Sequence, residues 1–501
     1  MKKIFILLYL LPLMAMAQPC KEVVGYYAGW QWYDRNKVMS PQTIPYSKYS
    51  ILTYAFFLPQ ADGTLKISDP WGDKNQLLGP INWSTAPAGY DTQYDFGNPA
   101  YHQPNQKLSD YAHQGGCKLM VSLGGWTYST NFSTIAATPS KRATFAHDIN
   151  TIIKLYNLDG IDIDWEYPNN QIDKQNYTIL LQQVRDSLDA IEPQMNRPLL
   201  LSIAAGASPT HISNVEWNNV KNILDMINLM SYDFYGTWDN VTNHNAPLYP
   251  SASSSQTGFS CSEAVTNLLA QGVPANKITM GVAWYGRSQM TVSTPNVYVA
   301  GTGQADMGHF SADDGTPLYY NIMLAMNAFD YHWDNAAQVP YLTGKTTNSF
   351  VSFDDETSIE KKAQYINSKQ LRGAIIWEIS GDYIESTSTP GTIASTPLVN
   401  KLNSTFCSGS VGIAAETQQI ALQLAPNPAQ TSLGIFLKEN LQAKAEISVL
   451  DCQGKLVLAD SFEGKDYHLL NIAHLSSGIY FLRIKSGEKW FTGKVVVSGN
   501  N

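Results

Sequence analysis

The 501-residue chain has the composition of a globular protein, with 44% hydrophobic residues for a large core and a length that allows two to four domains. Charged residues make up only 15% while 28 Tyr and 12 Trp are present, a surface that suits neutral, ring-stacking partners such as sugars. The net charge of -9 provides no basic footprint, which excludes nucleic acid and an anionic membrane as expected partners.

Lys2 and Lys3 precede an apolar run from Ile4 to Leu13, and Ala15-Met16-Ala17 offers a small-residue cleavage site. Residues 1–17 therefore read as a secretory signal, with the mature chain beginning at Gln18. Cys20 raises the question of a lipid anchor, but Pro19 before it and Ala17 three before it make a poor lipoprotein processing site. No later apolar run approaches the ~20 residues of a membrane span. Cys20, Cys117, Cys261, Cys407 and Cys452 leave at least one thiol unpaired, their spacing matches no zinc pattern, and their pairing stays open. Cys117 opens an apolar strand and reads as a core residue.

Eight apolar, β-rich runs follow one another: Glu22 to Tyr27, Ile51 to Phe57, Lys118 to Leu123, Leu158 to Glu166, Leu199 to Ala205, Met226 to Tyr232, Ile278 to Trp284 and Ala374 to Ile379. Most are followed by an amphipathic helix, such as Lys141 to Tyr156 or Asn176 to Ile191. Continuous apolar strands buried on both faces and alternating with helices predict an α/β fold, a (β/α)8 TIM barrel, with a doubly wound open sheet as the alternative. Two connections exceed simple loops. Pro59 to Gly115 is rich in Gly, Pro, Asn and rings and is expected to wall a cleft. Ser288 to about Phe350, between the seventh and eighth strands, has the length of a small inserted subdomain. The barrel is expected to occupy residues 18–407. A Ser/Gly/Ala/Gln-rich linker, 408–420, then leads to short alternating strands with turn signals, a separate β-sandwich over 421–501.

The fourth run, LDGIDIDWEY, carries the chemistry. Apolar Ile161, Ile163 and Trp165 alternate with Asp162, Asp164 and Glu166, so a strand here turns all three carboxyls to one face. Like charges so placed repel, and the group that gives up its proton last should have a raised pKa and serve as a general acid near neutral pH. The candidate is Glu166, at the C-terminal end of the fourth strand, where barrels keep their active sites. A half-exposed polar strand and an oxygen-rich cation site are the rival readings; the flanking apolar residues imply burial and favour an active site.

Neighbouring strand ends supply a pocket. Ser122 is a hydroxyl able to bond an aspartate, and Gly124 and Gly125 remove side chains where a backbone or ligand must come close. Tyr232 and Asp233 stand at the rim after the sixth strand, and Trp377 in the eighth offers a floor beneath a sugar ring. All the principal carboxylates come from one strand, whereas ordinary retaining glycosidases face two across the bond. A nucleophile supplied by the substrate, a 2-acetamido carbonyl, answers that difficulty. Asp164 would then polarise the acetamido N–H, Asp162 hold the proton balance, and Tyr232 with Asp233 position the carbonyl and stabilise an oxazolinium.

DGIDIDWE (159–166), Ser122-Leu-Gly-Gly125, Met230-Ser-Tyr-Asp233, Tyr285-Gly-Arg287 and Trp377 together resemble the motifs of family 18 glycoside hydrolases, the chitinases, in the right order over about Cys20 to Leu402. Trp333 to Tyr341 looks like part of their insertion domain. The resemblance implies a secreted chitinase in which Glu166, Asp164, Asp162, Tyr232 and Asp233 are catalytic and Ser122 supports the acidic strand. It also implies that Tyr26, Gly124, Gly125, Trp126, Tyr167, Met230, Arg287 and Trp377 bind substrate, with no metal and no cofactor. An endo-acting N-acetylglucosaminidase on glycoproteins or peptidoglycan is the alternative activity, and the inserted subdomain favours chitin over it. A chitin lectin lacks the acid that Glu166 supplies here. Pro426-Asn-Pro428, Gly478-Ile-Tyr480 and Lys494 are similar to type A sorting domains of type IX secretion cargo. The expected partners are thus chitin or chitooligosaccharides and the type IX secretion machinery. The expected protein is a monomer without a membrane span, extracellular or attached to the outer cell surface.

Overall fold

The computed structural model describes residues 20–251, 256–407, 422–437, 444–451, 455–463, 467–486 and 489–498. The expected signal, the start at Gln18, the linker and Cys452 lie outside them. Two compact units divide between residues 412 and 413, inside the expected linker.

In the first unit the eight runs form β1 (Glu22–Ala28), β2 (Ile51–Pro59), β3 (Lys118–Gly124), β4 (Gly160–Asp164), β5 (Leu200–Gly206), β6 (Met226–Met230), β7 (Ile278–Ala283) and β8 (Gly373–Trp377). Every neighbouring pair is parallel, and a pairing of β1 with β2, Tyr26 opposite Thr53, closes the sheet into the predicted barrel. The strand period of two sorts side chains between two cores. Ile161 and Ile163 of β4 point outward into the large cluster beneath the helices, with Leu180, Leu181 and Val184. Val24, Met120, Met226 and Ile375 fill the barrel itself.

Two expected helices extend past their predicted ends because capping residues set their limits. Pro139 opens the helix Pro139–Tyr156, and Asn157 in the left-handed region (φ 56°) ends it. Asn170 opens Gln171–Met195 by accepting the backbone N–H groups of Ile172 and Asp173, both at 2.9 Å. The acidic strand is shorter than expected: β4 ends at Asp164, so Trp165 and Glu166 belong to the following loop. The sixth strand likewise ends at Met230, and Asp233 has φ 57° in the loop beyond it.

The wall between β2 and β3 contains a short strand, Leu65–Ile67, antiparallel to β2, and the helix Gly72–Leu77. A buried cation organises it. Lys74 Nζ donates to the carbonyls of Tyr90 and Gln93 at 2.8 Å each and pairs with Asp95 at 2.6 Å. Those partners satisfy a charge that would otherwise be costly away from water. Between β7 and β8 the inserted subdomain holds the antiparallel strands Arg287–Met290, Phe329–Asp334, Val339–Gly344 and Ser349–Ser352, with the helix Tyr319–Ala325.

Cys20 and Cys407 form a disulfide with their Cα atoms 5.0 Å apart, joining positions 387 residues apart in the chain. Cys117 is a free, buried core residue, as its place in the sequence predicts, and Cys261 is also free and buried. The second unit is all β. Its three-stranded and four-stranded antiparallel sheets share a core that includes Leu433, Ile447, Leu482 and Val495. Among the described residues no helix is long and apolar enough to cross a membrane.

Candidate active site

The C-terminal strand ends of the barrel meet around Asp162. Strand register sets Ser122 on β3 and Ser202 on β5 directly beside it, so both hydroxyls reach its carboxylate. Ser122 donates at 2.8 Å, Ser202 at 2.6 Å, the Tyr26 hydroxyl at 2.8 Å and the Asn228 amide at 3.1 Å. Burial raises the Asp162 pKa and these four donors oppose the rise. Tyr26, expected to touch substrate, is only 2% exposed, and its hydroxyl donates to Asp162.

Asp164 lies one strand repeat further up, and its environment is the reverse. Its carboxyl is buried beside Glu166 and Asp162, which together drive its pKa well above the usual carboxylate range. Among the described residues its Oδ1 has no hydrogen-bond partner. Gly124 and Gly125 at the end of β3 have φ 110° and 83°. A Cβ on Gly124 would stand 2.4 Å from the Asp164 carbonyl oxygen, and the Gly125 N–H donates to that oxygen at 2.8 Å. The two glycines thus admit the backbone of the acidic segment.

Glu166 reaches the same pocket from the loop rather than from the strand face. Its backbone N–H donates to Ser129 Oγ at 2.8 Å. Burial, with Asp233 nearby, pushes its carboxyl up to about 7, while a hydrogen bond from the Tyr167 side chain opposes the rise. Burial thus raises Asp164 as well as Glu166, so the raised carboxyl is not confined to the terminal member of the run. The peptide bonds Ala55–Phe56, Glu166–Tyr167 and Trp377–Glu378, all at this end of the barrel, are cis.

Across from Glu166, Tyr232 is 9% exposed, and burial next to the acidic groups keeps its hydroxyl protonated as a donor. Asp233 is held from two sides. The Tyr285 hydroxyl donates to it at 2.5 Å, and Arg287 binds it through Nη2 at 2.7 Å and Nε at 2.8 Å. Arg287, expected to contact substrate, thus fixes Asp233, with its guanidinium 4.8 Å from the Trp238 ring centre.

The floor is aromatic. Trp377 stacks on Phe56 at 5.6 Å and 21°, Tyr26 tilts against it at 5.6 Å, and Met230 packs in the same cluster. Trp30, which is 49% exposed, continues the surface 6.1 Å from Phe56. A second row, Trp32, Trp71 and Trp83, runs along the wall with ring centres 6.3 Å apart at each step. Trp126 stands on the loop after β3 and is 78% exposed.

Ser129, Ser202 and Asn228 were not singled out in the sequence. Ser202 and Asn228 could have been found by counting inward-facing polar residues two by two along the fifth and sixth strands. Ser129, in a loop, leaves no such periodic signal.

Residues 22–382 match the family model described as glycosyl hydrolases family 18, and residues 423–498 match the one described as a secretion system C-terminal sorting domain. Chitinase A1 of Niallia circulans is 33% identical over 421 residues, which cover 74% of this chain and 58% of that protein. Chitinase ChiA of Flavobacterium johnsoniae is 31% identical over 560 residues, covering 94% of this chain and 33% of that protein. Among solved structures, chitinase ChiA74 from Bacillus thuringiensis superimposes with a TM-score of 0.65 at 26% identity, over 95% of this chain and 85% of that one. The sorting domain marks the protein for secretion or for the cell surface.

Proposed function

The chain belongs to the glycosyl hydrolases of family 18, and we propose that it is a secreted chitinase, cutting β-1,4 bonds between N-acetylglucosamine units with help from the substrate's own acetamido group. The observation that carries this reading is Asp164, a buried carboxyl whose Oδ1 has no protein partner among the described residues and which lies beside Glu166. An acetamido N–H is the donor such an oxygen lacks.

In the first step Glu166 gives its proton to the glycosidic oxygen as the acetamido carbonyl oxygen attacks the anomeric carbon and the leaving sugar departs. Asp164 draws on the acetamido N–H, and the positive charge of the oxazolinium develops beside Asp164 and Asp233. Asp162, whose carboxyl accepts from four donors, takes up the change in charge balance. The Tyr232 hydroxyl orients the acetamido carbonyl. In the second step the Glu166 carboxylate takes a proton from water, which attacks the anomeric carbon and opens the ring. Two displacements at one carbon retain the β-configuration.

Trp377, Phe56 and Trp30 bed the sugar rings, and Gly124, Gly125, Trp126, Tyr167 and Met230 line or rim the same cleft. The C-terminal unit serves export through type IX machinery, and the activity resides in the barrel. Mass spectrometry of products from defined chitin oligomers, run beside a glycoprotein and peptidoglycan, tests the substrate. Cleavage of the oligomers is expected; release of glycan from the other two with the oligomers intact would overturn the reading.

A further inference from the structure

The helix Pro209–Ser213 follows β5 and has no part in the chemistry set out above. Ser208 caps it by accepting the His211 N–H at 3.1 Å, which fixes where the His211 side chain leaves the backbone. Gly206, the last residue of β5, gives that imidazole its space: a Cβ there would stand 2.6 Å from His211 Nδ1. The imidazole lies flat on the ring of Tyr167, with centres 3.8 Å apart and planes 21° apart. Tyr167 is the residue after Glu166, on the loop that leaves β4.

We propose that His211 is a positioning residue for the acid: by stacking on Tyr167 it holds the Tyr167 hydroxyl on the Glu166 carboxyl and so fixes where that carboxyl points. The inference rests on the chitinase reading only for its kinetic arm. A ring fixed by one face keeps a single orientation in a loop that would otherwise sample several, and a hydroxyl on a fixed ring restrains the carboxyl it bonds. Burial lowers the His211 pKa and so disfavours a charge on the imidazole. The charges that face Glu166 come from elsewhere: Asp164 on β4 and Asp233 after β6, and the Tyr232 hydroxyl interacts with all three carboxyls. The Tyr167 hydrogen bond is a force lowering the Glu166 pKa, so losing it raises that value further.

The test compares His211→Ala, which removes the ring, with His211→Phe, which keeps a flat face without nitrogens. In the alanine variant kcat on chitin oligomers should fall roughly 5- to 50-fold with KM nearly unchanged, as expected for a misaligned acid. The alkaline limb of its rate profile should move to higher pH. The phenylalanine variant should recover most of both. Tyr167→Phe should move the limb in the same direction, and the double variant with His211→Ala should move it no further, because the two act through one hydrogen bond. A readout free of turnover is the Glu166 titration itself, followed by carboxyl carbon NMR with Glu166→Gln assigning the signal; it should rise in His211→Ala and return in His211→Phe. A His211→Ala protein with the wild-type Glu166 titration, even at a lower Tm, would overturn the proposal and leave His211 as packing. Failure of the wild type to cut chitin oligomers would instead overturn the substrate reading, and the NMR arm would still decide the role of His211.

Discussion

Ser129 Oγ accepts the backbone N–H of Glu166 at 2.8 Å and lies 3.1 Å from the carbonyl oxygen of Asp164, so one hydroxyl grips the chain on both sides of Trp165. β4 has already ended at Asp164, and no ladder bond fixes Glu166. The loop from β3 does so. Ser129→Ala leaves the buried Glu166 N–H without that acceptor, and kcat should fall about tenfold with KM little changed, measured on a soluble chitin oligomer. Unchanged kcat in a folded variant would show that the loop is held by other contacts.

Glu166→Gln keeps the shape of the side chain and removes the proton. Turnover should drop by at least the ~10²- to 10⁴-fold typical of general acid groups, while binding to insoluble chitin, assayed by pull-down, persists. Near-normal turnover would transfer the acid role to Asp164, whose pKa burial also raises.

With its pKa pushed up to about 7, Glu166 is protonated below that pH and ionised above it. Activity should therefore decline through a single alkaline limb near pH 7, read from kcat/KM against pH. Two carboxyls outside the pocket make stability follow the same sense. Burial raises Glu378 to about 7 and Asp382 to about 8, so the folded chain binds more protons than the unfolded one from about pH 4 upward. Stability from these groups is greatest at the low end of that window and is lost as pH rises toward 8. Thermal unfolding should show Tm falling between pH 5 and 8, with a shallower slope in Asp382→Asn.

The two units have separate cores, so deleting residues 422–501 should leave the barrel folded and hydrolysis by the purified protein intact. In the native host the truncated protein should accumulate in the periplasm, followed by immunoblot of cell fractions. Normal secretion of the truncated chain would contradict a sorting role for the second unit.

Where residues obey a period, the sequence was legible down to single contacts. The alternation in DGIDID turns Asp162 and Asp164 inward, and strand register alone carries Ser122 to Asp162. Glu166 reaches the pocket by a different rule from the one that predicts it, because a period of two continues through Trp165 in the sequence while the backbone leaves the sheet at Asp164. The Tyr26 hydroxyl and the Arg287 guanidinium also bind Asp162 and Asp233, partners 136 and 54 residues away. Such pairings, like Cys20 with Cys407 and His211 with Tyr167, depend on how strands and loops meet across the barrel. No local pattern encodes them.

The claim that the substrate supplies its own nucleophile is tested most directly on partly deacetylated chitosan, in which acetylated and free-amine sugars alternate irregularly. The sugar that carries the attacking group becomes the new reducing end, so the ends released early in the reaction report which units were able to take part. Labelling these ends and sequencing the products by mass spectrometry should find N-acetylglucosamine at essentially every one, whatever the overall degree of acetylation. New reducing ends bearing free amines in proportion to their abundance in the polymer would show that Asp164 and Glu166 cleave the bond without the acetamido group.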